Sequence, residues 1–527
     1  IVGPLTEAMA VHVRPSEKRG ALDLDLVNAS GQVAVRLRGF VTRAIVPATD
    51  NVFFFAPAWQ RLPESPGHVV HFDERIAWVA GPMARLDGWT LQRLPGTDFQ
   101  ACFQSLLEEL QRIAAAPSRR VLLQVCVAER SQLIALSAML RSARMECSWL
   151  WPQIVVVPDE RDAAPFLSEA AALPQHSMIR FGADGKAEVR CWQRSTLPEA
   201  STSWRPNGVY VITGGGGSLA RILARHIAEE APGASIILAG RTAPEYELGD
   251  SMWFRRTDVT KADEVESLIA EVRQRHGRID GVFHTAGVLD DAPLLHTSAP
   301  RAAAVMGPKV DGAIHLDRAI ADAPLDFFLL FGSVAGVLGN AGQSAYAAAN
   351  AYLDVFAAER QATRQGRTIA VDWPLWRDGG MRMDESAAAL MRRTTGLDSL
   401  ATQDGLRALR RILGSGLTQV MVACGDAERV ARYLAATPEL PAVAATKVDQ
   451  PALRTKVMAG LVDCVCELLK LEPADLSPDT ELTEYGFDSI TFTQFANALN
   501  DRFDLEVTPT LFFEYPTLDQ LAGGLIA

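Results

Sequence analysis

Apolar runs alternate with amphipathic helical patterns along most of this chain. Between residues 50 and 200, strand-like runs such as RVLLQVCV and QIVVVP are separated by helical segments such as FQACFQSLLEELQRIAAA. Between residues 205 and 440, the runs GVYVIT, SIILAG and DFFLLFGS are separated in the same way. Strands that alternate with helices predict a parallel sheet with helices on both faces. We therefore predict an α/β fold with two doubly wound parallel sheets.

The two ends of the chain have different patterns. Residues 1–48 read as a short β segment, with a hairpin whose turn is Asn28-Ala29-Ser30-Gly31. An Ala/Pro-rich stretch without periodicity predicts a linker over 437–452, and the helical patterns after it predict a small helical bundle. The predicted divisions are 1–48, 49–203, 204–436, 437–452 and 453–527.

Composition narrows the classes of partner. The net charge of -12 and the pI near 5.4 argue against nucleic acid or an anionic membrane as partner. The seven cysteines are scattered, and Cys464 and Cys466 fall within a helical pattern that favours a core helix over a metal site or disulfide. There is no signal peptide and no apolar run of about 18 residues. We expect a cytoplasmic protein, and its start at Ile1 suggests either a piece of a longer chain or a processed chain.

A glycine-rich turn follows the first strand of the second sheet and leads directly into a helix. This order is typical of the Rossmann-like dinucleotide site, where glycines let the backbone approach a pyrophosphate and the helix N-terminus stabilises its charge. A purely structural turn is the alternative. The candidate cofactor-binding residues here are Gly214, Gly215, Gly216, Gly217, Ser218 and Leu219.

The ends of the next strands bear on the identity of the dinucleotide. The second strand ends at Arg241, where NAD-binding sheets place an acid, and a guanidinium suits the 2′-phosphate of NADPH. Asp258, followed by Val259, ends the third strand and either meets the adenine or caps the next helix. The fourth strand ends in small residues along the expected path of the cofactor, Thr285, Ala286 and Gly287.

One stretch, Asp326 to Tyr352, has the order needed to give a proton to a carbonyl group. A strand ends at Ser333, and the helix after it carries Tyr346 and Asn350 four residues apart, on one face. A buried strand followed by an Ala-rich packing helix is the alternative. Tyr346 is the candidate acid, Ser333 the hydrogen-bond donor to the carbonyl, and Lys309 the cation that makes the phenol a better acid. From the residues alone, an exposed surface lysine is the favoured interpretation of Lys309.

These residues resemble those of the short-chain dehydrogenase/reductases, and more closely the ketoreductase domains of modular polyketide synthases. In SVAGVLGNAGQSAYAAANA, Asn350 stands where ordinary members of the superfamily have lysine, and Lys309 lies upstream, as in the polyketide ketoreductases. The resemblance implies that Tyr346, Ser333, Lys309 and Asn350 are catalytic. It also implies that residues 49–203 form a structural subdomain that binds no cofactor. Ala220 stands at a position where the family commonly has glycine.

The same resemblance suggests a stereochemical outcome. Leu289-Asp290-Asp291 matches the LDD motif of the B-type ketoreductases, whose products are D-configured β-hydroxyls. Leu338 stands where the contrasting type has tryptophan. An acidic surface loop is the alternative interpretation.

The C-terminal segment resembles an acyl carrier protein. It contains GFDS before an amphipathic helix and FFEYPTL before the last helix. The resemblance implies that Ser489 carries covalent 4′-phosphopantetheine, whereas the residues alone would also fit a helix cap. Residues 1–48 resemble the final strands of a dehydratase domain, without its catalytic residues.

Together these patterns predict a polyketide synthase fragment that reduces a carrier-bound β-ketoacyl thioester to a β-hydroxyacyl thioester with NADPH. The expected partners are the acyl thioester on the carrier arm, an upstream ketosynthase and other synthase domains, and a phosphopantetheinyl transferase. No metal, nucleic acid or membrane is expected. The alternatives are a non-reducing or epimerising ketoreductase, or a scaffold that only presents the carrier.

Overall fold

The computed structural model describes most of the chain, in two units, 1–51 and 52–527. The described residues are 9–15, 22–28, 31–40, 51–62, 70–82, 84–116, 119–158, 162–199, 204–321, 323–381, 383, 385–435, 450–503, 507, 509 and 511–526. Residues 437–449 of the predicted linker lie outside this set, as do Ala29 and Ser30 of the predicted hairpin turn.

The first unit is an antiparallel sheet of β1 (Met9–Pro15), β2 (Leu22–Asn28) and β3 (Val33–Phe40), in that order. The predicted hairpin is present as the β2–β3 pair. Asp25 on the central strand is buried and forms ion pairs with Arg14 at 3.0 Å and with Arg36 at 2.8 Å. These pairs cross from β2 to both neighbours and link the three strands through side chains.

The second unit contains the remaining strands and all the described helices. The strands are β4 (Val52–Arg61), β5 (Glu74–Val79), β6 (Thr90–Arg93), β7 (Val121–Ala128), β8 (Leu150–Val157), β9 (Met178–Phe181), β10 (Ala187–Ser195), β11 (Val209–Thr213), β12 (Ser235–Gly240), β13 (Met252–Arg256), β14 (Gly281–His284), β15 (Phe327–Ser333), β16 (Arg367–Trp373) and β17 (Gln419–Cys424). The helices are α1 (Phe99–Ala114), α2 (Leu136–Glu146), α3 (Ala164–Ala171), α4 (Ser218–Glu230), α5 (Ala262–His276), α6 (Ala299–Ile320), α7 (Val334–Leu338), α8 (Ser344–Thr363), α9 (Glu385–Thr395), α10 (Thr402–Gly414), α11 (Ala427–Ala435), α12 (Gln450–Leu469), α13 (Ser489–Phe503), α14 (Leu511–Glu514) and α15 (Leu518–Ile526). Single 3₁₀ turns lie at Gln132–Ala135, Leu294–His296, Pro473–Asp475 and Leu482–Tyr485.

These strands form one sheet with two parallel halves. In the described residues the strand order is β13-β12-β11-β14-β15-β16-β17-β4-β10-β9-β8-β7-β5-β6. The half predicted to be catalytic, residues 204–435, contains β11–β17, and the half predicted to be structural, residues 52–199, contains β4–β10. Strands β11–β17 are parallel throughout, and so are β5–β9. The predicted α/β class is confirmed. The two predicted Rossmann-like parallel sheets are present as the two halves of one sheet, because the antiparallel strands β4 and β10 join them edge to edge.

Burial explains why the central strands are apolar without alternation. Every residue of β8 and of β11 is buried, because helices cover both faces of the sheet. Helix α8 also packs across the junction of the two halves, where the Tyr352 and Phe99 rings lie 4.9 Å apart and the Tyr352 hydroxyl donates to Gln132 Oε1 at 2.9 Å. The structural half therefore supports the helix that carries Tyr346.

One predicted strand of the structural half is absent in its described part. Residues 70–72 of HVVHF are not a strand, and Phe72 is instead buried in edge contact with Trp151, their ring centroids 6.2 Å apart. A short apolar run can thus be a core contact rather than a strand, which its pattern alone does not distinguish.

The last helices, α12–α15, form the predicted small bundle. Its core holds stacked phenylalanines, including Phe495 and Phe512 with ring centroids 4.8 Å apart. Cys464 is buried in this core, and no group of three metal-ligating side chains occurs among the described residues. Within the part of the chain that the structure describes, no helix combines the length and apolar character needed to cross a bilayer.

Candidate active site and carrier site

The glycine-rich loop between β11 and α4 is closely packed against its neighbours. A Cβ on Gly215 would lie 2.9 Å from the Ala239 amide nitrogen, and one on Gly216 would lie 2.8 Å from the Thr242 carbonyl oxygen. Gly214 has a φ of 71°, which disfavours other residues there. Glycine is therefore required at these positions by contacts within the protein.

The N-terminus of α4 fits a phosphate group. Gly217 is its N-cap and supplies no side-chain hydrogen bond, and the helix begins with Ser218 and Leu219. The first N–H groups of a helix have no partner within the helix, and its dipole favours an anion there. Ala220 is fully buried and packs in the core, so its methyl group is accommodated. The chain's own donors therefore suit a dinucleotide pyrophosphate.

Arg241 and Asp258 lie near each other beyond the ends of β12 and β13. Arg241 is exposed. Burial raises the pKa of Asp258, but hydrogen bonds from the Thr260 amide and hydroxyl, together with the nearby Arg241 and Lys261, bring it below its ordinary value. The Asp258 carboxylate bonds Thr260 rather than the first turn of α5, so the helix-cap alternative is not seen. Val259 is buried, and its carbonyl oxygen lies 3.0 Å from His315 Nδ1.

The end of β14 lies beside the glycine loop and beneath Lys309. Thr285 Oγ1 donates to the Thr213 carbonyl oxygen at 2.6 Å, and Ala286 is buried. Gly287 leaves little space, since a Cβ there would lie 3.2 Å from Lys309 Cε. Thr285, Ala286 and Gly287, predicted to lie along the cofactor, are therefore placed between the glycine loop and Lys309.

Ser333 and Tyr346 meet at the carboxyl end of β15. Ser333 ends the strand and caps α7, where its Oγ accepts a hydrogen bond from the Ala335 amide at 3.2 Å. Tyr346 lies on the first turn of α8 and is only 8 % exposed. Burial raises the pKa of the Tyr346 phenol, and hydrogen bonds from Ser333 and Asn350 lower it only in part. The phenol therefore carries its proton at neutral pH, as an acid must.

Lys309 is buried, so its interpretation as an exposed surface lysine is wrong. It lies in the middle of α6 and is 4 % exposed. Its Nζ donates to the Phe331 carbonyl oxygen at 2.7 Å and lies 5.8 Å from the centre of the Tyr346 ring. Burial lowers the pKa of Lys309 to about 8, against the opposing pull of Asp372 and Asp354.

Asn350 is fully buried one turn after Tyr346. Its Nδ2 donates to the Tyr346 carbonyl oxygen at 2.7 Å. Its Oδ1 is buried and accepts no hydrogen bond from any described residue. A buried acceptor without a donor is costly, so this oxygen is suited to a proton-relay water or a substrate group.

The Leu289-Asp290-Asp291 loop is connected to the helix that carries Tyr346. Leu289 is exposed, and Asp290 forms an ion pair with Arg301. Asp291 Oδ2 accepts a hydrogen bond at 2.7 Å from Gln343, the N-cap residue of α8. These bonds hold the loop beside a small pocket that Tyr346 also lines, which an unattached acidic surface loop would not do.

Some residues that shape the site were missed by sequence reasoning. Buried Glu146, from the structural half, accepts hydrogen bonds from the Leu294 amide at 2.6 Å and the Gly342 amide at 2.9 Å. Buried His284 contacts Thr213 Oγ1 at 2.9 Å, and burial with Lys309 nearby lowers its pKa to about 3, so it is neutral. The sequence shows Asp372 as a single acid in the apolar strand TIAVDW, but it does not predict which residues contact it.

Asp488 takes the capping role at the start of α13. Its Oδ1 accepts from the Thr491 amide at 2.8 Å, and the Thr491 hydroxyl oxygen accepts from the Asp488 amide at 2.6 Å. This is the reciprocal pattern of a capping box. Ser489 is the first residue of the helix that Asp488 caps.

A cavity of about 540 Å³ lies outside this site. It lies at the carboxyl ends of β5, β7 and β8 in the structural half, next to Glu359 of α8. No glycine-rich turn is among the described residues that line it.

Two family models match the chain. The one described as KR domain matches residues 208–378, and the one described as phosphopantetheine attachment site matches residues 459–525. The polyketide synthase PksN of Bacillus subtilis (strain 168) is 31 % identical over 561 aligned residues, which cover 96 % of this chain and 10 % of that protein. The chain thus spans about a tenth of the length of this curated relative.

Two solved structures resemble it over 73 % of its length. A ketoreductase domain from the bacillaene assembly line is 30 % identical with a TM-score of 0.66, and 99 % of that chain is covered. The first ketoreductase of the tylosin PKS is 26 % identical with a TM-score of 0.59, and 95 % of that chain is covered.

Proposed function

The chain belongs to the polyketide synthase ketoreductases and carries a phosphopantetheine-attachment domain, and we propose that it reduces a carrier-bound β-ketoacyl thioester to a β-hydroxyacyl thioester with NADPH. Membership in this family makes the chain an oxidoreductase that uses a nicotinamide cofactor. The substrate, the choice of NADPH and the roles of individual residues are the proposal.

The observation that supports it most is the meeting of four polar side chains beside the glycine loop. The Ser333 side chain interacts with the Tyr346 phenol, and Asn350 donates to the Tyr346 carbonyl oxygen. Lys309 lies against the Tyr346 ring. Protonated phenols near a serine at the end of a parallel strand are placed to meet a ligand bound at that edge.

Each of these residues then has a distinct task. A nicotinamide cofactor bound along the glycine loop would supply the hydride to the carbonyl carbon. Ser333 donates a hydrogen bond to the carbonyl oxygen, and Tyr346 gives that oxygen its proton. The cationic Lys309 stabilises the tyrosinate that remains, and the Asn350 Oδ1 can hold the water that returns a proton to it.

We assign the choice of NADPH to Arg241. Its exposed guanidinium lies past the end of β12, where a ribose 2′-phosphate would reach it, and it has the geometry for paired hydrogen bonds to phosphate.

We assign a D-configured product to the Leu289-Asp290-Asp291 loop. Its attachment to Gln343 and Arg301 gives it a fixed position beside Tyr346, so it can restrict which face of the ketone meets the cofactor. Chiral analysis of the β-hydroxy product tests this, and an L-configured hydroxyl would reject it.

Ser489 is the proposed attachment point of 4′-phosphopantetheine, added by a phosphopantetheinyl transferase. The matched domain includes it, and α13 begins at it under the Asp488 cap. With coenzyme A and the transferase, wild-type protein should gain the mass of one phosphopantetheine. Ser489→Ala should gain none, while Ser477→Ala, another serine of the carrier domain, should gain as much as the wild type.

The reductase assay decides between this function and its rivals. Folded protein mixed with NADPH and a β-ketoacyl thioester surrogate should consume NADPH and form the alcohol. No consumption would favour the non-reducing scaffold. Exchange of the α-proton without NADPH consumption would favour the epimerising alternative.

A further inference from the structure

Two carboxyl groups lie buried below the proposed site, and the mechanism above gives neither a task. Asp372 is on β16, fully buried, and Asp354 is on α8, one turn after Asn350 and 9 % exposed. A Cβ on Gly332, the residue before Ser333, would lie 2.8 Å from Asp372 Oδ1. The pair therefore lies directly behind the strand end that carries Ser333.

Only some of the carboxyl oxygens of the pair accept a hydrogen bond from a donor among the described residues. Gln419 Nε2 donates to Asp372 Oδ2 at 3.1 Å. The Oδ1 atoms of Asp354 and Asp372 are both buried and accept no bond from a donor among the described residues, yet the two carboxyls lie within hydrogen-bonding reach of each other. Two ionised carboxylates offer only acceptors, so such a contact requires a proton between them.

Cations approach the pair from three elements. Lys309 of α6 interacts electrostatically with both carboxyls, as do Arg190 of β10 and Arg141 of α2. Arg190 donates to Gln419 Oε1 at 2.9 Å, so one amide links this guanidinium to the Asp372 carboxylate. Arg190 and Arg141 both belong to the structural half.

The two carboxyls are not equivalent. Burial raises the pKa of Asp354 well above its ordinary value, and the neighbouring Asp372 raises it further. Burial also raises the pKa of Asp372, to about 7, with Gln419, Asp354, Arg190 and Lys309 opposing the rise. Asp372 has the amide donor, so it is the member better able to hold a negative charge.

We propose that Asp354 and Asp372 share one proton, held by Asp354, and that the charge left on Asp372 keeps the buried Lys309 cationic. Both are positioning residues for the proposed reduction, since neither touches the carbonyl group. The structural half then has an electrostatic task, because its Arg141 and Arg190 stabilise the charged form of the pair. This inference rests on the proposed function only for its kinetic consequence, and the shared proton can be observed independently.

The kinetic test compares Asp372→Asn with Asp354→Asn. Loss of the Asp372 charge should lower the proton affinity of Lys309, so the high-pH limb of the rate profile should move down by about one pH unit. Asn at 354 mimics a protonated carboxyl and can still donate to Asp372, so its profile should match the wild type. Equal profiles for all three proteins, or a shift in Asp354→Asn alone, would overturn the assignment.

Infrared difference spectroscopy tests the proton directly and needs no activity. At pH 8 the wild type and Asp372→Asn should both show the carbonyl band of a buried protonated carboxylic acid, and Asp354→Asn should lose it. Retention of the full band in Asp354→Asn would contradict the proposal even if every variant were inactive. If the wild type consumes no NADPH, the proposed function is wrong. The spectra alone then show whether Asp354 and Asp372 share one proton.

A further pair of variants covers the case in which Asp372→Asn does not fold. Arg190→Gln removes a cation near Asp372, so the Asp372 carboxylate should bind a proton at higher pH than in the wild type. The infrared band of the protonated carboxylic acids should then grow between pH 7 and 8. Arg194→Gln is the control, because Arg194 is exposed on the same strand and stacks on Phe53 at 4.7 Å. An unchanged band in Arg190→Gln would show that the structural half does not set the charge of the pair.

Discussion

At the scale of single residues, burial has opposite consequences for the two main groups of the site. It disfavours the charged form of each, so it keeps the Tyr346 phenol protonated and makes Lys309 easier to deprotonate. An acid that keeps its proton until a carbonyl arrives is useful. A lysine that loses its proton easily is less useful as a cation, unless a nearby anion stabilises its charged form.

Replacement of Tyr346 by phenylalanine removes the proposed proton donor and little volume. We expect reduction of the surrogate to slow by about 10²–10⁴-fold, the usual contribution of a general acid, while NADPH binding stays near wild type. Steady-state rates and a fluorescence titration of NADPH measure the two quantities.

Tyr352→Phe is the matched control, one and a half turns along the same helix. It loses the bond to Gln132, which should cost about 1 kcal/mol of stability without changing the rate. Similar rate losses in both variants would mean that Tyr346 acts through packing rather than proton transfer.

The pKa of Lys309 predicts a pH dependence of the reduction. Lys309 is charged below its pKa of about 8 and neutral above it, so the rate with saturating NADPH should fall as the pH rises through about 8. Lys309→Met should be slow at every pH and lack this limb. If the limb persists in Lys309→Met, another group is responsible for it.

At the scale of elements, the turn after a strand decides what binds at the sheet edge. The loop after β11 has glycine where its neighbours leave no space, and the turn after β12 has Arg241 in place of an acid. The first feature suits a dinucleotide, and the second is the one that we propose discriminates between NADPH and NADH.

Arg241→Ala should weaken NADPH more than NADH. Loss of a charged hydrogen bond of about 1.5–3 kcal/mol predicts a rise in KM for NADPH of about 10–100-fold, with KM for NADH little changed. The control is Arg275→Ala at the C-terminal end of α5, because helix C-termini lie at the opposite edge of a parallel α/β sheet. Equal losses with both cofactors in Arg241→Ala would exclude discrimination of the 2′-phosphate.

At the scale of the whole chain, the two halves of the α/β sheet form one structure. β17 of the catalytic half pairs with β4, and β4 pairs with β10. Glu146 holds two loops of the site from the structural half, and Tyr352 packs on Phe99. The structural half therefore contributes to the geometry of the candidate site.

A fragment of residues 204–435 should consequently fail to fold well. Its β17 would become a bare, apolar edge strand, which promotes aggregation, and α8 would lose its contacts with α2 and the Gln132–Ala135 turn. A fragment of residues 52–435 keeps both halves and should melt cooperatively and reduce the free surrogate. Thermal denaturation and sedimentation compare the two. A monomeric 204–435 fragment with the same melting temperature would contradict this view.

The sequence by itself determined the α/β class, the glycine loop, the order of Ser333, Tyr346 and Asn350, and the carrier segment. These features depend on hydrophobic periodicity and on residues close together in the chain, where spacing already implies proximity. Only the tertiary structure decided that Lys309 is buried, that the two halves share one sheet, and that Asp354 and Asp372 meet beneath the site. Their surroundings combine elements that are separate in the chain, among them α2, β10, α8 and β16. The protonation of a buried acid or base depends on every charge packed around it.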